Sequence, residues 1–193
     1  MTTPRILAFG GSLRRDSINQ KLAAAAAVGA REAGAEVTLI ALRDFALPVF
    51  DEDLEASVGL PDAAKRLKTI FRGHHGLIIA SAEYNSSVTA ALKNAIDWVS
   101  RTESDGEEPL SALGGKTAVL CAASPGALGG LRGLVHLRAI LGNIGITVLP
   151  DQLAISKAHE AFGPDGHLVD AKQAARVSNL GSLLARHLVK QLA

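Results

Sequence analysis

The chain has 193 residues, with 48% hydrophobic and 20% charged side chains and a formal net charge of +1. That is enough apolar chain for one domain with a substantial core, and the near-neutral balance excludes a strong field drawing it to nucleic acid or an anionic membrane. Its single cysteine, Cys121, excludes an intrachain disulfide and a cysteine-based zinc site.

Strand-like and helix-like segments alternate along the chain. The opening Met1-Thr2-Thr3-Pro4-Arg5 leads into a strand at 5–9 with no charged-then-apolar leader, so a cytoplasmic location is expected. A helix follows at 17–33, ended by Gly34, and then a second strand at 36–42. Residues 43–60 read as loop, with the acidic run Asp51-Glu52-Asp53 solvated. A helix at 61–72 starts on Pro61, where a missing N–H does no harm. A third strand is expected at 76–82, a helix at 87–101 and a polar linker at 102–109. A fourth strand at 116–123, a helix at 128–141, a fifth strand at 144–149 and a closing helix at 170–191 complete the pattern. No apolar run approaches the roughly 20 residues of a membrane span.

The central strands are continuous apolar runs, the pattern of strands buried on both faces of a parallel sheet. Five such βα units over residues 1–193 imply one doubly wound α/β domain with helices on both faces. Ligands in such sheets bind beyond the carboxyl ends of the strands, at the topological switch point. The loops there are 10–19, 82–87 and 124–130, and all three have unusual composition.

The first loop, Gly10-Gly11-Ser12-Leu13-Arg14-Arg15-Asp16-Ser17-Ile18-Asn19, joins a strand to a helix start. Its backbone N–H groups, hydroxyls and guanidinium groups make a phosphate trap. Neither G-x-x-x-x-G-K-[ST] nor G-x-G-x-x-G is present, so it suits one terminal phosphate, not a triphosphate or a dinucleotide. An ordinary turn capped by Ser17 is the bland alternative. The second loop, Ala82-Glu83-Tyr84-Asn85-Ser86-Ser87, carries the only tyrosine and offers a surface for a planar heterocycle. It would otherwise simply turn the chain and cap a helix at Ser86 or Ser87. The third loop holds Ser124, Gly126, Gly129 and Gly130, where glycine permits close approach of a ligand.

These residues carry a resemblance. Gly11-Ser-Leu-Arg-x-x-Ser-x-Asn19 resembles the phosphate loop of the NADPH-dependent FMN reductase family. Glu83-Tyr84-Asn85-x-Ser87 with Leu92-Lys-Asn-Ala-Ile-Asp-Trp98 is similar to its second signature, and Ser124-x-Gly126-x-x-Gly129-Gly130 to its third. The branch most resembled includes the chromate and quinone reductases. The resemblance implies a flavodoxin-like five-stranded sheet of order 2-1-3-4-5 with FMN at the switch point. Ser12, Arg14, Ser17, Ile18 and Asn19 would hold the phosphate, with Leu13 in the same loop. Ala82, Glu83, Tyr84 and Asn85 would line the ring, and Ser124 and Gly126 would approach the ring or ribityl chain. Ala82 stands where the family usually has proline. Loss of the neutral Asn19 is expected to cost less binding than loss of Arg14.

The implied reaction is an NADPH- or NADH-dependent oxidoreduction with a small-molecule acceptor: a quinone, chromate, an azo compound or free flavin. Ping-pong exchange follows if donor and acceptor share one flavin face, and no side chain stands out as catalytic acid or base. Backbone donors near Asn85 suit negative charge on a reduced ring. Homodimers or homotetramers are implied, and Ile96, Trp98, Val99 and Phe50 are candidates for an exposed apolar interface patch. His74-His75 lacks a carboxylate or cysteine at ligand spacing, so no metal site is expected. His136 faces the core or a partner, His159 and His167 are solvated, and Cys121 is a small core residue. The competing readings are a flavodoxin-like electron carrier or FMN-binding regulatory module without turnover, and a phosphate-ester enzyme without flavin. A carrier would be strongly acidic for docking, which this chain is not.

Overall fold

The computed structural model describes residues 2–193. The continuous apolar runs form the middle of a five-stranded sheet. β1 (Arg5–Gly10), β3 (Gly76–Ala80) and β6 (Thr117–Ala123) are buried along almost their whole length. β2 (Glu36–Ala41) and β7 (Thr147–Ile155) are the more exposed edges. The order is β2-β1-β3-β6-β7 and every pairing is parallel, which is the expected 2-1-3-4-5 once only sheet strands are counted.

Strand periodicity sorts alternate residues into two cores. Ile6, Ala8, Ile78, Val119 and Cys121 meet α1 (Ile18–Glu32) and α7 (Ala171–Gln191) on one face. Leu7, Phe9, Leu77, Ile79 and Leu120 meet α3 (Asp62–Arg72), α4 (Ala90–Ser100) and α5 (Leu131–Asn143) on the other. The alanine-rich stretch 23–27 lets α1 lie against α7 almost backbone to backbone. A Cβ at Gly181 would fall 1.9 Å from the Ala26 carbonyl oxygen.

Several local expectations are corrected. The segment 43–60 contains α2 (Glu52–Val58), because Asp51 Oδ1 accepts from the amides of Asp53 and Leu54 at 2.8 and 3.0 Å and starts a helix. The acidic run is therefore a helix cap and first turn. Residues 83–88 form a hairpin, β4 (Glu83–Tyr84) and β5 (Ser87–Val88), and Thr89 rather than Ser86 or Ser87 caps α4. β7 runs past Pro150, where the sequence suggested a stop. It is an edge strand and its register against β6 is irregular there, so the missing N–H is tolerated. A further short helix, α6 (Ala158–Ala161), follows.

The proposed exposed patch does not exist. Ile96, Trp98 and Val99 are buried. Trp98 meets Phe50 edge-on at 5.0 Å and donates its Nε1–H to the Pro48 carbonyl at 2.8 Å. Cys121 is fully buried, and burial pushes its thiol up to about 12. His74 lies at the amino end of the sheet, bonded to Ile70 O and Thr38 Oγ1. His136 is exposed and meets Ser87, and His159 is exposed beside Glu160. Among the described residues, no group of three His, Cys, Asp or Glu could hold a metal ion, and no helix is long and apolar enough to cross a membrane.

Candidate functional site

Three loops converge at the carboxyl ends of β1, β3 and β6. The first is tied down at both ends. Gly10 N–H donates to Gln20 Oε1 at 2.9 Å, and Gly11 N–H donates to the Ala80 carbonyl at 2.8 Å. The buried Thr89 hydroxyl donates to the Gly11 carbonyl at 2.6 Å. Ser17 is the N-cap of α1, its Oγ accepting from Gln20 N–H at 3.2 Å. Helix geometry then leaves the amides of Ile18 and Asn19 without intrahelical acceptors, at the positive end of the helix dipole. Ser12 Oγ accepts from Arg14 N–H at 3.2 Å, while the Arg14 side chain extends to solvent.

Asn19 departs from the expected role. Its side chain is buried and bridges strands: Nδ2 donates to the Ala123 carbonyl at 2.9 Å and Oδ1 accepts from Ala123 N–H at 2.8 Å. The amide group that suggested a phosphate ligand is thus committed to fastening the first loop to the third.

The second loop is the hairpin. Asn85 and Ser86 have φ of +50° and +69°, so they form a two-residue turn that matches the twist of the two strands. Asparagine is among the residues that adopt this conformation most readily. Tyr84 stands 53% exposed beside the turn. Ala82, in place of the family proline, is buried. Glu83 borders the cleft, but its carboxylate turns away and accepts from Gly133 N–H at 2.8 Å and Arg132 at 3.0 Å. Burial opposes its charge, and these two donors outweigh burial and hold the carboxyl below the ordinary range.

The third loop is anchored by Ser124 N–H to the Ile155 carbonyl at 3.0 Å. Its end passes so close to β6 that a Cβ at Gly130, whose φ is +93°, would lie 2.7 Å from Ala122 Cβ. Only glycine combines that φ with that approach.

Between the loops lies a small cleft of about 90 Å³. Ser12, Arg14, Ser17, Ile18, Asn19, Ala82, Glu83, Tyr84 and Ser124 line it, as do Ala123 and Pro125, which were not among the candidate site residues. An adjoining cavity of about 420 Å³ shares Ser12, Arg14 and Tyr84 and adds Leu13, Thr89, Ala90 and Ala91. Asn85 and Gly126 lie outside both linings. Thr89–Ala91 were missed because only the folded hairpin brings the start of α4 back to the first loop. Ala123 and Pro125 flank Ser124, so their place in the loop was the available signal. The donor set, two hydroxyls, a guanidinium and two helix-start amides, suits a phosphate monoester. The adjoining apolar wall suits a planar ring, and the adjoining cavity is within the usual size range for small-molecule sites.

Comparison with known proteins identifies the family of this chain. The family model described as NADPH-dependent FMN reductase matches residues 4–160. An NAD(P)H-dependent FMN reductase of Pseudomonas aeruginosa is 36% identical over 169 residues, 87% of this chain and 86% of that protein. A quinone reductase of Escherichia coli is 33% identical over 189 residues, 97% of this chain and 91% of that one. Among solved structures, a flavoenzyme NAD(P)H:(acceptor) oxidoreductase from Paracoccus denitrificans superposes with a TM-score of 0.80 at 27% identity, covering 97% and 98% of the two chains.

Proposed function

The chain belongs to the NADPH-dependent FMN reductase family, and on that premise we propose that it is an FMN-dependent reductase that transfers electrons from NAD(P)H to quinones. The observation that carries this reading is the convergence of a phosphate-binding helix start and an aromatic hairpin on one cleft. When bound, FMN supplies hydride acceptance from a nicotinamide and electron delivery to the acceptor. The chain acts as one FMN-binding domain, with one noncovalent FMN per chain. The hydroxyls of Ser12 and Ser17, the Ile18 and Asn19 amides and Arg14 hold the phosphate. Leu13, Tyr84 and the Thr89–Ala91 wall flank the ring, with Asn85 and the loop Ser124–Gly126 at its margins. FAD is expected to bind less well, because the first loop offers a seat for one terminal phosphate.

Arg14→Ala is expected to weaken FMN binding by about 1.5 kcal/mol, roughly tenfold, in fluorescence-quenching titrations. That is the lower end for a charged hydrogen bond, since Arg14 is exposed and screened. Unchanged affinity at moderate salt would remove Arg14 from the phosphate site.

Were donor and acceptor to share one face of the bound ring in turn, initial rates would give parallel double-reciprocal plots, which is the expected result. Tyr84→Phe should retain most of its activity, since the ring rather than the hydroxyl forms the wall. Tyr84→Ala should lose about tenfold or more in kcat/KM. Loss of flavin reduction in Tyr84→Phe with FMN still bound would assign the hydroxyl a chemical role.

The test of the function is a steady-state assay of NADPH and NADH against quinone, chromate, azo and free-flavin acceptors. Failure to turn over any acceptor with FMN bound would favour an electron carrier or regulatory module. The exposed Leu13, Tyr84, Leu128, Leu131 and Val135 support self-association near the cleft, as a dimer or tetramer, to be read by sedimentation equilibrium.

A further inference from the structure

We propose that Glu83 is a positioning residue: its carboxylate caps α5 from outside the helix and thereby fixes the hairpin that carries Tyr84. The helix lacks a cap of its own. Its N-cap is Gly130, which has no side chain to offer. The amide of Gly133, the third residue of α5, finds its acceptor in Glu83 Oε2 at 2.8 Å. An anion at this end of a helix is also favoured by the helix dipole.

Burial shows which partner matters. The Glu83 side chain is 7% exposed and that of Arg132 is 56% exposed. The carboxylate is inside the fold, and the guanidinium reaches it from solvent at 3.0 Å. Losing the exposed arginine leaves the carboxylate its helix amide. Losing the carboxylate leaves a helix amide and the base of the hairpin without their link.

The hairpin and α5 are shaped for this contact at two further points. A Cβ at Gly133 would lie 3.2 Å from the Ser87 carbonyl oxygen and 3.5 Å from Glu83 Cβ, so glycine lets the hairpin close down on the helix. The Ser87 hydroxyl lies 2.9 Å from His136 Nδ1, one turn further along α5. Both strands of the hairpin therefore rest on α5, one through Glu83 and one through Ser87. The turn that presents Tyr84 to the cleft inherits its position from a helix that itself begins at the third loop. Glu83 acts on the ring site through Tyr84. That functional consequence rests on the FMN reading above, whereas the capping contact does not.

The test is amide hydrogen exchange, with and without FMN, together with FMN affinity by fluorescence quenching, on wild type, Glu83→Ala, Glu83→Gln and Arg132→Ala. Glu83→Ala is expected to speed exchange at Gly133 and across 84–87 by about tenfold or more, and to weaken FMN binding by about the same factor. Glu83→Gln keeps an acceptor for the Gly133 amide and is expected to recover most of both. Arg132→Ala should stay within about threefold of wild type, as for an exposed ion pair. Should Glu83→Ala not fold, Glu83→Asp, which withdraws the carboxylate by one methylene, takes its place. Unchanged exchange at Gly133 in the alanine variant overturns the capping role. Wild-type exchange in Glu83→Gln with FMN affinity as poor as in Glu83→Ala overturns the positioning role, because the charge itself would then act on the ligand. If wild-type protein binds no FMN, the functional reading fails while the exchange data still decide whether Glu83 caps α5.

Discussion

Asn19→Ala is expected to cost about 2–6 kcal/mol of folding stability and to weaken FMN binding more than Arg14→Ala does. The estimate comes from two orphaned groups. Asn19 is buried and satisfies both the N–H and the carbonyl of Ala123. Alanine leaves both without a partner, and each buried unsatisfied group costs about 1–3 kcal/mol. Water entering the gap would bring the value toward the lower end. The effect on binding follows from position. Asn19 sits in the first turn of α1, which lines the cleft, and it fastens that turn to the residue before Ser124. Its loss lets two of the three loops drift apart. Urea unfolding monitored by circular dichroism measures the stability, and the same titration as for Arg14 measures the binding. A midpoint equivalent to less than about 0.5 kcal/mol of change would show that the bridge contributes nothing.

The commitment of the Asn19 side chain to Ala123 shows what the sequence can and cannot convey. Continuous apolar runs such as Leu77-Ile78-Ile79 specify buried parallel strands, and their order along the chain places loops 10–19, 82–87 and 124–130 on one edge. Nine of the residues lining the cleft were therefore legible from loop position and residue chemistry. Side-chain direction was not. Asn19 and Glu83 are polar residues that border the cleft, and both commit their polar atoms to partners far away in sequence: Asn19 to the Ala123 backbone, Glu83 to the Gly133 amide and the Arg132 guanidinium. Such partners exist only once β6 and α5 are in place. The hairpin was hidden for a related reason: Tyr84-Asn85-Ser86-Ser87 lacks the Asn-Gly signal, and its positive φ values fall on Asn85 and Ser86. Trp98 was misplaced because most of the apolar partners around it, Leu47, Phe50, Leu54 and Leu60, come from the segment 43–60, which reads as loop.

The same limitation applies to the stretch 102–109, which reads as a polar linker and in fact supplies the counter-charge for a buried lysine. Lys68 is 1% exposed, and its ammonium meets Glu107 Oε1 at 2.5 Å as well as the Arg101 carbonyl. Arg72 and Ser111 also donate to Glu107, at 2.6 and 2.5 Å, and the Glu103 amide completes its set at 2.6 Å. Glu107→Gln is expected to destabilise the fold by about 3–5 kcal/mol, because it leaves the Lys68 charge buried with only neutral acceptors. The double variant Lys68→Met with Glu107→Leu should regain most of that loss, since removing both charges removes the uncompensated one. The wild-type pH dependence has a defined sign. Burial works against ionisation of Glu107, but Lys68 and its other donors outweigh burial and hold its carboxyl far below the ordinary value of about 4.3. A carboxyl depressed in the folded state contributes stability that is complete above its unfolded pKa and is lost as pH falls below it. Stability measured by urea unfolding should therefore decline below about pH 5 in wild type, and decline less steeply in Glu107→Gln. FMN affinity per folded molecule should not change, because this knot lies beyond the carboxyl end of α4 and the cleft lies at its amino end. Equal acid sensitivity in the two proteins would show that other carboxylates, and not Glu107, set the acid limit of the fold.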